Sequence, residues 1–87
     1  MGGTVMNRLG LLILATLKQS NATSVVSAMS VYEIKSYASL TQSATTMHRT
    51  IKVLLENGYI QQGVKNSKSS TFYLLENGLL QLKEMMQ

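Results

Sequence analysis

Residues 41–60, TQSATTMHRTIKVLLENGYI, hold most of the side chains of this 87-residue chain that could do chemistry. Gln42, Ser43, Thr45, Thr46, His48, Arg49 and Lys52 stand close together there. Hydroxyl and amide groups both donate and accept hydrogen bonds, and an arginine can fork onto a base edge or a phosphate. At a helix N-terminus, free backbone N–H groups and the dipole would add attraction for anions. The plainer alternative is the solvated outer face of an ordinary packed helix. Catalysis has little to work with. The chain has one histidine, no aspartate and no cysteine, and its four glutamates are scattered. Only His48 could serve as a base, and nothing orients it. A thiolate metal site and a disulfide framework are excluded. The expectation is a binding protein that is not an enzyme and needs no cofactor or metal.

These residues must be presented by a helix, expected over about 41–57. At roughly 100° per residue, Ala44, Met47, Ile51, Leu54 and Leu55 share one face. Gln42, Thr45, Arg49, Lys52 and Glu56 gather opposite, with Thr46 and His48 at the edges. Gly58 follows as the stop, because glycine tolerates the left-handed conformation of a helix C-cap. Ser39 with Gln42 offers one capping box for its start, and Ser43 a competing N-cap.

Length and composition bound the rest. A chain of this size supports a single domain with one small core. Apolar residues make up 45%, a globular composition. The longest apolar run, Leu9 to Ala15, is too short to cross a membrane and reads poorly as a secretory signal. The net charge of +4 favours a polyanionic partner. With no cysteine and no targeting segment, the expected setting is the cytosol of a prokaryote, or a mobile element of one.

In chain order, residues 1–4 should fray, and a first helix is expected over Val5 to Lys18. Met6, Leu9, Leu12, Ile13, Thr16 and Leu17 mark one face, with Leu11 and Leu14 on the other. So apolar a circumference asks for cover on more than one side, and a second copy of the chain could supply it. Gln19 to Ala28 is a Ser/Thr/Asn-rich connector with room for a turn of helix or a brief strand. Ser30 and Glu33 then form an S-x-x-E capping box, with Met29 and Ile34 as the staple. The helix it starts should run Val31 to Ser39, with Val31, Ile34, Tyr37 and Ala38 inward. After Gly58 the period falls to two. Tyr59 to Val64 and Ser70 to Leu75 read as strands, with Ile60, Phe72 and Leu74 inward. KNSKSS, residues 65–70, makes an exposed basic tip, and no acidic residue lies between Glu56 and Glu76. Asn77-Gly78 should end the second strand. A short last helix would set Leu79, Leu82 and Met86 on one side, with Leu80 and Met85 off it.

Helix, helix, tight turn, helix, basic hairpin, helix is the order of a winged helix-turn-helix. The fold class is therefore α+β and mainly helical, a single domain over 1–87. The helix-turn-helix covers about 30–58 and a two-stranded wing about 59–75. From Val31 to about Leu82 the sequence resembles the MarR- and PadR-type winged-helix transcriptional regulators. Ser43, Thr45, Thr46, Arg49, Leu54, Gly58 and Ile60 carry the resemblance first, then Phe72, Leu74, Gly78 and Leu82. Leu75 stands where such families place a capping threonine, which leaves Glu76 or Asn77 to start the last helix. The long dimerisation helices and arginine-rich wing of typical MarR proteins are missing. A compact winged helix of this size is also similar to small plasmid- or phage-encoded DNA-binding proteins, including centromere-binding partition proteins.

The resemblance implies double-stranded DNA as partner, with helix 41–57 in the major groove and wing 64–70 on the backbone or minor groove. Arg49 would contact a guanine edge or a phosphate; the alternative is a surface salt bridge to Glu56 or Glu33. Gln42, Ser43, Thr45 and Thr46 would bond bases or phosphates, except where they cap the helix. His48 and Lys52 would reach phosphate or simply face solvent. Lys65, Asn66 and Lys68 would meet the backbone from the wing. The leading expectation is a homodimeric transcriptional repressor paired through its first and last helices. The alternatives are a plasmid or phage partition protein binding repeated sites, and a winged-helix adaptor for another protein.

Overall fold

In the computed structural model, residues 7–64 and 69–85 are described. The first helix, α1 (Arg8–Gln19), starts where the Asn7 side chain accepts a hydrogen bond from the Gly10 N–H at 2.8 Å. The helix thus starts three residues later than the expected Val5, because Asn7 is extended and caps it; any role for Met6 or Met86 lies outside the described residues. The buried stripe of α1 is Leu9, Ile13, Leu14 and Leu17. Leu14, which the sequence pattern set on a second side of the helix, is buried with them, in keeping with cover on more than one side, while Leu12 is only half-buried. Thr16 is also buried, its hydroxyl satisfied by the Leu12 carbonyl at 2.8 Å. The second helix α2 (Val31–Ala38), the third α3 (Ala44–Glu56) and the last α4 (Glu76–Met85) all pack on α1, as does a strand. One chain thus covers several sides of its most apolar helix, with Leu11, Leu12 and Ala15 left half-buried.

Helix α2 starts as its sequence demands. The Glu33 N–H donates to Ser30 Oγ at 3.2 Å, and the Ser30 N–H donates back to the Glu33 carboxylate at 2.8 Å. Val31 and Ile34 are buried. Tyr37, expected inward, is 52% exposed, because an eight-residue helix this close to α1 buries only a narrow stripe. On α3, Met47, Ile51 and Leu54 are buried, as the period requires. Thr50 joins them, and Ala44 does not: it sits in the first turn, exposed.

Helices α1, α2 and α3 end by one device. After α3 the Gly58 N–H donates to the Leu55 carbonyl and the Tyr59 N–H to the Leu54 carbonyl, at 3.1 and 3.0 Å. This is the Schellman arrangement, with Gly58 at φ +74°. Asn21 (φ +59°) repeats it after α1 and Ser39 (φ +54°) after α2. In each case the next residue, Ala22, Leu40 or Tyr59, is at least half-buried.

Among the described residues the sheet has three strands. β1 (Met29–Ser30), β2 (Ile60–Gln62) and β3 (Thr71–Leu74) are ordered β1-β3-β2 and antiparallel throughout. The expected hairpin is β2–β3, in register Ile60 to Leu74 and Gln62 to Phe72. β1 adds an edge that was not expected, pairing Met29 with Phe72 and Ser30 with Thr71. Two residues carry no readable period, so only the neighbouring strand reveals them. A short 3-10 turn, Val25–Ser27, precedes β1. Ile60, Phe72 and Leu74 face the core as expected. Gly78 does not end a strand. It is buried in the first turn of α4, against the Tyr59 carbonyl.

Candidate nucleic-acid interface

The two ends of the connection from α2 to α3 decide which side chains remain available. Ser43 is the N-cap of α3: its Oγ accepts the Thr46 N–H at 3.2 Å and donates to Thr46 Oγ1 at 3.1 Å. Both hydroxyls are thereby engaged in starting the helix. The box from Ser39 to Gln42 does not form, because Ser39 terminates α2 in the left-handed conformation. Helix α3 begins at Ala44, so Gln42 precedes it. Gln42 is half-buried, and its Oε1 is buried without a hydrogen-bond partner. It does not stand on the exposed face of α3 as the sequence reading placed it.

Thr45, His48, Arg49 and Lys52 are all exposed on α3, and its first turn carries no acidic residue. Only Glu56, at the far end, brings a negative charge to that helix. Among the described residues no ion pair ties Arg49 to Glu33 or Glu56. The N-terminal half of α3 therefore combines exposed cations, a hydroxyl and the positive end of the helix dipole, which suits a polyanion.

The wing tip, with Lys65, Asn66 and Lys68, lies outside the described residues. Its neck is well defined. The Gly63 N–H donates to the Thr71 carbonyl at 2.9 Å, and Thr71 Oγ1 donates to the Val64 carbonyl. The Val64 N–H reaches the Val25 carbonyl at 3.4 Å, and the Leu74 N–H the Ala22 carbonyl at 2.8 Å. The wing thus stands on the segment between α1 and α2, a support that no local motif announces.

Between α3 and the hairpin lies a cleft of about 440 Å³. His48 and Lys52 line it from α3, Tyr32 from α2, and Gln62, Ser69 and Ser70 from the hairpin. Tyr32 and Gln62 were not anticipated as functional residues, and Ser69 and Ser70 only as part of the wing, residues 64–70. They are distant in sequence, and only the packing of α3 against the sheet brings them together. Among the described residues no group of three or more histidine, cysteine, aspartate or glutamate side chains could hold a metal ion. None of the helices among them is long and apolar enough to cross a membrane.

A helix-turn-helix followed by an antiparallel hairpin, with exposed cations on the second helix, defines the winged-helix class of DNA-binding proteins. Comparison with known proteins is more specific. The chain is 34% identical over 74 residues to the DNA-binding protein TubR of a Clostridium botulinum C phage, covering 85% of this chain and 89% of that one. It belongs to the TubR family of DNA-binding proteins. The structure of TubR from Bacillus megaterium pBM400 superposes with a TM-score of 0.80 over 93% of this chain and 87% of that chain, at 23% identity, and shares the fold. The solution structure of the DNA-binding TubR fragment from Clostridium botulinum gives 0.69 at 30% identity, covering 94% and 99%. No family model matches the sequence. The likeness to MarR- and PadR-type regulators thus holds at the level of the winged helix-turn-helix, and these relatives give it no support at the level of family.

Proposed function

We propose that the protein binds double-stranded DNA sequence-specifically at repeated sites and serves the partition or maintenance of a mobile element. Helix α3 enters the major groove, and the wing, residues 64–70, follows the backbone or minor groove. The observation that carries this reading is the row Thr45, His48, Arg49 and Lys52, exposed on the helix beside the wing neck. Kinship with a phage-encoded DNA-binding protein favours maintenance of a mobile element over repression of a single operator. Binding needs no cofactor and no catalytic step. Leu80 and Met85, 51% and 44% exposed on α4, support pairing of two copies through the first and last helices.

The test is binding to a random duplex and to the DNA flanking the gene, at about 50 and about 200 mM salt, where phosphate contacts separate strongly. Steeply salt-dependent binding, with footprints recurring along the flanking DNA, is the expected outcome. The Lys65/Lys68 double alanine variant should flatten the salt slope by about one unit per lysine. A single footprint over a promoter would favour a repressor. Absence of binding to any duplex at the lower salt would sink the DNA reading and leave the protein-adaptor alternative.

A further inference from the structure

The cleft between α3 and the hairpin has a chemistry of its own. Every polar group on its wall can donate a hydrogen bond: Lys52, His48, Tyr32, Gln62, Ser69 and Ser70. Among the described residues no carboxylate lines it. Glu33 is close in sequence to Tyr32, but its carboxylate is held by the Ser30 N–H in the α2 capping box. Glu56 follows Lys52 by one helical turn and is not part of the lining. The floor is apolar, formed by Val31, Ile51, Leu55 and Phe72. Donors over an apolar floor form stronger bonds to an anion than the same donors in open water.

We propose that this cleft is a seat for one phosphodiester of the DNA backbone. The proposal rests on the DNA-binding reading and adds to it a specific strand path between α3 and the wing. Lys52 and His48 lie one turn apart on the helix that carries Thr45 and Arg49. A duplex met by Thr45 and Arg49 therefore brings its backbone to the mouth of the cleft. Lys52 supplies the charge, and Tyr32, Gln62 and Ser70 supply neutral donors from two other elements. The volume exceeds that of a lone phosphate, so a flanking deoxyribose rests on the apolar floor. Because the donors come from α2, α3 and both hairpin strands or their ends, an occupied seat holds wing and helix in one relative position.

The test uses the full chain and a set of duplexes, each with one backbone phosphate replaced by an uncharged methylphosphonate. In the wild type, one position should weaken binding by roughly tenfold, the scale of losing a charge-assisted contact. The same replacement should cost little further in Lys52→Gln or Tyr32→Phe, two exposed positions whose change leaves the core intact. It should still cost the full factor in Arg49→Ala. If every position costs the wild type and the cleft variants equally, the seat is overturned while the DNA reading stands. If the wild type binds no duplex, both fall. Titration with inorganic phosphate and with a deoxynucleoside monophosphate, followed by amide NMR shifts, separates the source of the anion. Saturable shifts at Ser70 and Gln62 without DNA would assign the cleft to a free anion and overturn the backbone seat.

Discussion

Gly63 lies against Ala28 with no room between them for a side chain. A β-carbon on Gly63 would come within 2.5 Å of the Ala28 methyl and 2.7 Å of the Val25 carbonyl oxygen. The glycine just after β2 is thus where the hairpin rests on the turn before β1. Gly63→Ala should destabilise the fold by about 1–3 kcal/mol, the usual cost of forcing atoms into a packed site. It should also lower duplex affinity, since it shifts the wing neck while leaving α3 alone. Urea unfolding and polarisation binding read the two effects. An unchanged midpoint would mean that the contact relaxes without cost.

A second glycine makes a similar contact at the other end of the hairpin. A β-carbon on Gly78 would run into the Tyr59 carbonyl, which already accepts the Leu75 N–H at 3.0 Å. Alanine is the better helix former by about 1 kcal/mol, which alone would favour Gly78→Ala. The clash wins, because its target is backbone held by a hydrogen bond. A fall in Tm of roughly 5–15 °C is expected for a domain of this size. A rise would show that propensity outweighs packing here.

The helix ends make opposite predictions for one backbone conformation. Ser39 pays for a left-handed φ of +54° with a β-carbon in place, which costs about 1–2 kcal/mol. Ser39→Gly relieves that strain against the extra entropy of an unfolded glycine, for a net gain of about 0.5 kcal/mol. Gly58→Ala imposes the strain at φ +74° and should lose about 1 kcal/mol. Nothing lies within 4 Å of the added carbon at Gly58, so the loss is conformational and not steric crowding by neighbours. Denaturation midpoints moving in the same direction for the two variants would contradict the assignment.

Arg49 is exposed on α3 and has no ion pair among the described residues, so its removal should leave stability unchanged. Arg49→Ala should cost about 1–3 kcal/mol of binding to the preferred site. If it reads a base, the ratio of specific to scrambled-duplex affinity should fall as well. An equal loss on both duplexes would make it a phosphate contact, and no loss on either would remove it from the interface.

Much of the fold is written in residues that act on near neighbours. Ser30 and Glu33 announce the start of α2, because both hydrogen bonds of the box span three residues. Gly58 announces the end of α3 for the same reason. The spacing of Met47, Ile51 and Leu54 identifies the buried face, and so leaves Thr45, Arg49 and Lys52 outside. The order of those elements was enough to imply a wing and a DNA-facing helix.

The remainder depends on packing between distant segments. Ser39, Gln42 and Ser43 are all plausible at a helix start, and sequence alone placed that start too early. Ser39 closes α2 while Leu40 reaches the core, so only Ser43 is left free to cap α3. β1 exists because Met29 and Ser30 meet β3, and two residues have no period of their own. Gly78 reads as a turn former until Tyr59 lies beside it. The cleft joins Tyr32, His48 and Ser70 from three elements whose separation no local pattern encodes. Short-range hydrogen bonds and helical period, which the sequence carries by itself, determined the elements and the exposed face of α3. Close approach and shared burial, which need the whole chain folded, decided which of those side chains stay free and what stands beside them.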